Sequence, residues 1–327
     1  MIIGYFELKE SLLAMSTEFR KLGYEVKGFP LMHHLRSNKT NHQCVDLINA
    51  EIASFQPDVV LWWYFGYSVE ILSLTRGQWP NKLFVMYSWD DPFTWSEAET
   101  HRMSEKARYF DIAFTSCEES VGMYLENGSK QAYFLSPGVD MATFFPERHR
   151  SEKTYKHDVS IVCTNLYENE AIFSDQIVNR KKLIDILVSI PGINVGVYGP
   201  AGFKNVYPNN YVSFATYQNL NEVFNRSRIN VCTHVTSSKY KYINERCVLV
   251  LASGGLLYVD KTNGIEDVID KDGCVFIDVD NVTEQIKDII DNYDKYSEVK
   301  RIGHESAFQF RWSVWAEFVH SKIKRTF

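Results

Sequence analysis

Apolar positions along this chain switch repeatedly between two spacings. Continuous runs such as Asp58-Val-Val-Leu-Trp-Trp-Tyr64 read as strands buried on both faces, whereas Leu12, Met15, Phe19 and Leu22 recur at the helical interval and stop at Gly23. Over residues 1–145 the alternation predicts strands at 1–6, 25–31, 58–64, 83–87, 112–115 and 132–135. Helices are predicted between them, at 11–22, 44–55, 69–76, 97–109 and 118–126. Short connections between strand and helix imply right-handed crossovers and a parallel sheet, so this half is Rossmann-like. A second series follows Pro146 and the charged stretch 147–157, with strands at 158–163, 193–198, 211–215, 229–234, 256–259 and 275–277. Its helices fall at 179–189, 220–227, in the run that starts at Tyr242, and at 283–293. Trp312, Trp315, Val319 and Ile323 share one face of a terminal helix expected to dock on the body. The expected architecture is α/β, with Rossmann-like parallel-sheet domains at 1–147 and 148–310 facing across a cleft and a C-terminal helix at 311–327.

The segment from Tyr242 to Asp260 carries the strongest chemical signal. It reads as a helix with Asn244, Glu245 and Arg246 at its polar start, closed by Gly254-Gly255 and followed by the buried strand Leu-Leu-Tyr-Val259. Free backbone N–H groups and a guanidinium at one helix start favour an anion, and a diphosphate is the natural occupant.

Composition narrows the class. With 45% hydrophobic and 23% charged residues, no low-complexity tract and a formal charge of −6, the chain reads as a compact enzyme-like globule. Neither half is basic, so a nucleic-acid surface has no bulk electrostatic support, while a local pocket for a phosphorylated ligand remains allowed. The six cysteines contain no Cys-x-x-Cys pair and read as buried free thiols. No basic, apolar leader and no membrane-spanning run is evident, so a cytoplasmic protein without a transmembrane segment is expected. Gly-x-Gly-x-x-Gly, Walker A and His-Glu-x-x-His are all missing from the sequence, which lowers the case for a dehydrogenase, an NTPase or a zinc protease.

The run Tyr109-Phe-Asp-Ile-Ala-Phe-Thr-Ser-Cys-Glu-Glu-Ser120, continuing through Tyr124 and Gly128 to Leu135-Ser-Pro-Gly-Val-Asp140 and Phe144-Phe-Pro146, resembles the end of the N-terminal domain in GT-B glycosyltransferases. Arg246-Cys-Val-Leu-Val-Leu-Ala-Ser-Gly-Gly255, with Asp260, Gly264-Ile-Glu-Asp-Val268 and Asp272-Gly273, is similar to a block of the CgeB-like, spore-maturation type glycosyltransferases, relatives of glycosyltransferase group 1. Ser88-Trp-Asp-Asp-Pro92 resembles a turn of the same proteins. The resemblance spans most of the chain, with its most specific motifs over 108–146 and 228–278. It implies a GT-B fold with an acceptor domain first and a nucleotide-sugar domain second. One position departs from the pattern, because the acid that meets the donor ribose would fall on Leu249. Either Glu245, one helical turn earlier, takes that role, or donor binding is altered or lost.

Ligands of parallel α/β sheets sit beyond the C-terminal strand ends, and this rule selects the candidate residues. For the donor these are Tyr198, Gly199, His234, Glu245 and Arg246. The resemblance adds Arg180 as a phosphate contact, assisted by Lys181 or Lys182, and Asn263-Gly264 as a turn offering backbone N–H groups. For the acceptor they are Glu7, Trp63 and Tyr64, the aromatics by stacking on sugar rings, although Trp62 and Trp63 point to opposite faces of a strand. Asp90 or Asp91 is placed to deprotonate an acceptor hydroxyl, with one of the pair expected to cap the Asp-Pro turn. Asp278-Val-Asp280 mimics a metal-binding pattern but precedes a surface-type helix, and neither a metal nor a cofactor is expected. The expected function is transfer of a sugar from a nucleotide-sugar donor to a hydroxyl acceptor such as a glycan. Its rivals are a GT-B-fold binding or coat-associated protein with a disabled site and a nucleotide-sugar epimerase.

Overall fold

The computed structural model describes residues 1–4, 9–37, 39–63, 66–91, 93, 102–147, 155–166, 178–236 and 238–326. The chain divides into two compact units, Met1–Gly138 with Trp312–Phe327, and Val139–Arg311. Each is a parallel sheet with helices between its strands.

In the first unit the strands are β1 (Ile2–Gly4), β2 (Lys27–Phe29), β3 (Val59–Trp63), β4 (Leu83–Ser88), β5 (Ile112–Thr115) and β6 (Gln131–Phe134), in the spatial order β2-β1-β3-β4-β5-β6. Every neighbouring pair is parallel, as the helical crossovers require. All five residues of β3 and all six of β4 are buried, which explains their unbroken apolar runs. The Asn41–Phe55 helix starts three residues before its predicted position because Thr40 and Gln43 form a reciprocal capping box ahead of the apolar stripe. A short helix at Leu31–Arg36 was not anticipated, since Pro30 and six residues leave too little periodicity to read. The predicted helix at 97–109 is represented among the described residues by Met103–Lys106 and a 3₁₀ turn at Ala107–Tyr109.

The terminal helix Trp312–Lys324 packs into this first unit, with Trp312, Trp315, Val319 and Ile323 all buried beside Leu12, Phe19 and Tyr87. The expected boundary at 147 moves to the Gly138–Val139 junction. The reason is local, because the Val139 N–H donates to Phe310 O and the Phe145 and Glu147 N–H groups donate to Asn221 and Asn225 of the second unit.

The second unit holds β7 (His157–Val162), β8 (Val195–Tyr198), β9 (Ser227–Cys232), β10 (Leu256–Val259) and β11 (Val275–Phe276), ordered β11-β10-β9-β7-β8. The direction of winding reverses between β7 and β9, which makes their C-terminal ends the topological switch point of this sheet. The predicted strand at 211–215 is reduced to one bridge between Tyr211 and Val197. A Ser297–Ser306 helix, with Gly303 pressed against Gly273, was missed because its mostly polar composition masks its periodicity. Among the described residues no helix is long and apolar enough to cross a membrane.

Candidate functional site

The exits of β7 and β9 are joined by one buried arginine. Arg180 opens the Arg180–Ser189 helix, where Asn179 caps the start by accepting from the Lys182 N–H. Its side chain runs back to the sheet at 1% exposure. There Nε donates to Thr233 Oγ1 at 2.7 Å, Nη2 donates to Thr233 O at 2.8 Å and Nη1 donates to Asn165 O at 2.8 Å. The expected phosphate contact is therefore corrected. Arg180 is enclosed by protein and fastens the switch point, and Lys181 pairs with Asp185 at 2.8 Å.

Thr233 O also accepts from Asn244 Nδ2 at 3.2 Å, and Asn244 in turn caps the Glu245–Ala252 helix by accepting from the Cys247 N–H. The helix start is thus moored to the exit of β9. Glu245 and Arg246 are half-exposed in its first turn, whereas Leu249 is a core residue at 1% exposure. Burial pushes the Cys163 thiol up, while the positive charges of Arg180 and Arg246 pull it back. A helix start, a half-exposed cation and strand ends at a switch point together favour a bound anion.

Tyr198, Gly199 and His234 are packed or hydrogen-bonded within the protein. The Tyr198 hydroxyl meets His157 Nε2 at 3.0 Å, and burial pushes its pKa up to about 12. Gly199 lacks a side chain because a Cβ there would come within 2.4 Å of the Phe203 ring and 2.6 Å of Cys163 O. His234 is fully buried, with Nδ1 2.7 Å from Asp260 Oδ1, so it has no exposed edge for a donor. Asn263 is exposed at the exit of β10, and its carbonyl accepts from the Lys241 N–H at 2.7 Å. Gly264 holds φ +73°, and a Cβ there would strike the Tyr240 ring at 2.5 Å. Asp278 accepts from Asn281 Nδ2 and the Asp280 N–H, closing the turn before the Val282–Asp291 helix.

In the first unit Glu7 and Tyr64 lie outside the described residues. Trp63 is corrected, since it is 4% exposed and packs against Tyr87, Trp89, Trp312 and Trp315, with no face left for a sugar. Both sides of β3 are covered, so alternation does not bring either tryptophan to the surface. The acidic pair separates by role. Asp91, 1% exposed, accepts from the Phe93 N–H at 3.2 Å and from Ser120 Oγ at 2.9 Å, which makes it the turn-capping partner. Asp90 is half-exposed, and its backbone carbonyl accepts from Ser88 Oγ at 2.6 Å. Among the described residues no group of three or more His, Cys, Asp or Glu side chains is arranged to hold a metal.

Two parallel-sheet units of this topology define a GT-B-type α/β protein, and comparison with solved structures agrees. Sucrose-phosphate synthase from Thermosynechococcus elongatus aligns with a TM-score of 0.70 at 10% identity, covering 100% of this chain and 99% of that one. HepE of Anabaena in complex with UDP-glucose aligns at 0.65 and 11% identity, covering 99% and 100%. A glycosyltransferase from Rickettsia africae aligns at 0.64 and 10%, covering 99% and 97%. A family model described as glycosyl transferase-like matches residues 180–319, a stretch that includes Arg180, the Glu245–Ala252 helix and most of the terminal helix. That match covers 140 of the 327 residues and agrees with the expected enzyme class. No curated protein matches it by sequence.

Proposed function

We propose that the chain moves a sugar from a nucleotide-sugar donor to a hydroxyl acceptor, as a GT-B glycosyltransferase of CgeB-like type. The observation that carries this reading is Arg246 in the first turn of a helix moored to the sheet's switch point, within the matched glycosyl transferase-like region. The diphosphate would lie on the Arg246 guanidinium and the first-turn N–H groups, which supply positive charge without a metal ion. Glu245, in the same turn, is the acid assigned to the donor ribose. Asp90, half-exposed on a turn anchored by Asp91, is the base for an acceptor hydroxyl, and a base there implies inversion at the anomeric carbon. Catalysis of this kind is mainly positioning and electrostatic stabilisation of the leaving diphosphate. Activity belongs in the cytoplasmic fraction.

A panel of sugar nucleotides, UDP-glucose first because HepE holds it, tests the reading by thermal shift and by product analysis with glycan acceptors. Stabilisation by a nucleotide, with sugar transferred to acceptor, is expected. The core position of Leu249 favours one second reading, a binding protein with a disabled donor site, and stabilisation by no nucleotide would select it. Donor isomerised without acceptor would select an epimerase.

A further inference from the structure

Beneath the start of the Glu245–Ala252 helix lies a buried polar chain that donor contacts alone do not explain. Asp260, immediately after β10 and 0% exposed, accepts from the His234 backbone N–H through both carboxylate oxygens at 3.1 Å and faces His234 Nδ1 at 2.7 Å. One carboxylate therefore grips both the main chain and the side chain of the residue that leaves β9. With Nδ1 committed to Asp260, the Nε2 edge of His234 meets Cys247 Sγ at 3.9 Å. Cys247 is the third residue of the helix and stands next to Arg246. The Tyr242 ring closes one side of the imidazole, edge to face at 5.3 Å. Burial first, then Cys232, the last residue of β9, push the Cys247 thiol well above the usual range. Such a thiol is a spacer and not a nucleophile.

Burying a carboxylate and an imidazole completely is costly, and an apolar pair of similar volume would fill the space without that cost. What the polar chain supplies is a single arrangement, because each contact is directional. It links the exit of β10 to the exit of β9 and to the first turn of the helix that bears Arg246. On the opposite side Thr233 is held by Arg180 and Asn244, so the two residues leaving β9 are each fixed by side chains from other elements.

We propose that Asp260 is a positioning residue for the donor diphosphate, holding His234 and, through it, the first turn of the Glu245–Ala252 helix in its binding geometry. Asp260 does not touch the donor. It removes the reorganisation that Arg246 and the first-turn N–H groups would otherwise undergo on binding. The role rests on the donor-binding reading given above.

The test is calorimetric binding of UDP and of inorganic pyrophosphate to the full chain, beside ligand-free unfolding, for the parent, Asp260→Asn and His234→Asn. Asp260→Asn keeps the volume and sets an amide NH₂ against the His234 N–H. His234→Asn retains a donor toward Asp260 but drops the imidazole edge that faces Cys247. Both ligands are expected to bind folded Asp260→Asn roughly tenfold more weakly or worse, the scale of coupling between residues in contact. The rise in Tm produced by UDP should shrink in parallel. A purely structural Asp260 would lower the ligand-free Tm and leave the Kd of the folded protein within about twofold of the parent, and that result overturns the proposal. If Asp260→Asn does not fold, His234→Asn decides by the same criterion. A parent that binds neither UDP nor any other nucleoside diphosphate defeats the functional reading and this role with it. Parent binding with unaffected variants defeats the positioning role alone.

Discussion

Arg180 and Thr233 are joined twice, Nε to Oγ1 at 2.7 Å and Nη2 to the carbonyl oxygen at 2.8 Å, across the point where the second sheet reverses its winding. The arginine reaches β9 from a helix that follows β7, so this contact closes the crevice floor between the two strands. Hydrogen bonds to a charged group contribute about 1.5–3 kcal/mol, and Arg180→Ala removes several of them together with a buried side chain. The variant should lose about 3 kcal/mol or more of stability in denaturant unfolding of the ligand-free protein. An unfolding midpoint equal to the parent's would mean that Arg180 does not hold the strand exits together.

Gly199 offers a second test of packing against ligand contact. A Cβ at this position meets the Phe203 ring at 2.4 Å and Cys163 O at 2.6 Å, and the second of these is backbone that cannot swing aside. Gly199→Ala should therefore cost about 1–3 kcal/mol, the range for overpacking a close contact. The loss should be the same with and without UDP. A variant of parental stability that binds UDP poorly would instead place Gly199 against the ligand.

The sequence made the strands and most helices legible because burial on both faces leaves continuous apolar runs, as in Val-Val-Leu-Trp-Trp63, and because helices stop at Gly23, Pro57 and Gly254. The helix start at Asn244 to Arg246 was readable for the same reason, since N-caps and charge at a helix start are local features. Side-chain direction was not readable. Arg180 looks like any cation at a helix start, yet its stem folds back under the sheet. Tyr198 and His234 stand at strand exits as ligand residues do, and only the three-dimensional positions of His157 and Asp260 show that their polar atoms are already engaged. Asp260 left one signal, an acid placed directly after the wholly buried run Leu-Leu-Tyr-Val259. A carboxylate in that place needs a buried partner.

Lys106 gives the first unit a pH signature. It is 0% exposed and lies 4.7 Å from the centre of the Tyr67 ring, and burial brings its pKa down from 10.5 to about 7. The folded value lies below the unfolded one, so between about pH 7 and 10.5 the unfolded chain binds more protons and stability rises with pH, by up to about 1.4 kcal/mol per unit. Below about pH 7 both states are protonated and the contribution is constant. Subtracting the stability of Lys106→Met from that of the parent across pH 6 to 10 should isolate this slope. A flat difference would show that Lys106 keeps its charge in the folded state.

Arg246 should behave in the opposite way to Arg180, although both are arginines at helix starts around one set of strand exits. Arg180 is enclosed at 1% exposure and bonded to the exits of β7 and β9, whereas Arg246 is half-exposed in the first turn of a helix whose cap is supplied by Asn244. Truncating Arg246 leaves that cap and its anchor on Thr233 in place, so the ligand-free Tm should fall less than in Arg180→Ala. What is lost is a guanidinium able to pair with diphosphate oxygens, a charge-assisted contact of about 1.5–3 kcal/mol. Arg246→Ala should accordingly weaken UDP binding by roughly tenfold to a hundredfold, measured by calorimetry beside thermal unfolding of the free protein. The pattern across the two variants carries the argument, with stability lost in Arg180→Ala and affinity lost in Arg246→Ala. If Arg246→Ala binds UDP as the parent does, the diphosphate does not lie at this helix start.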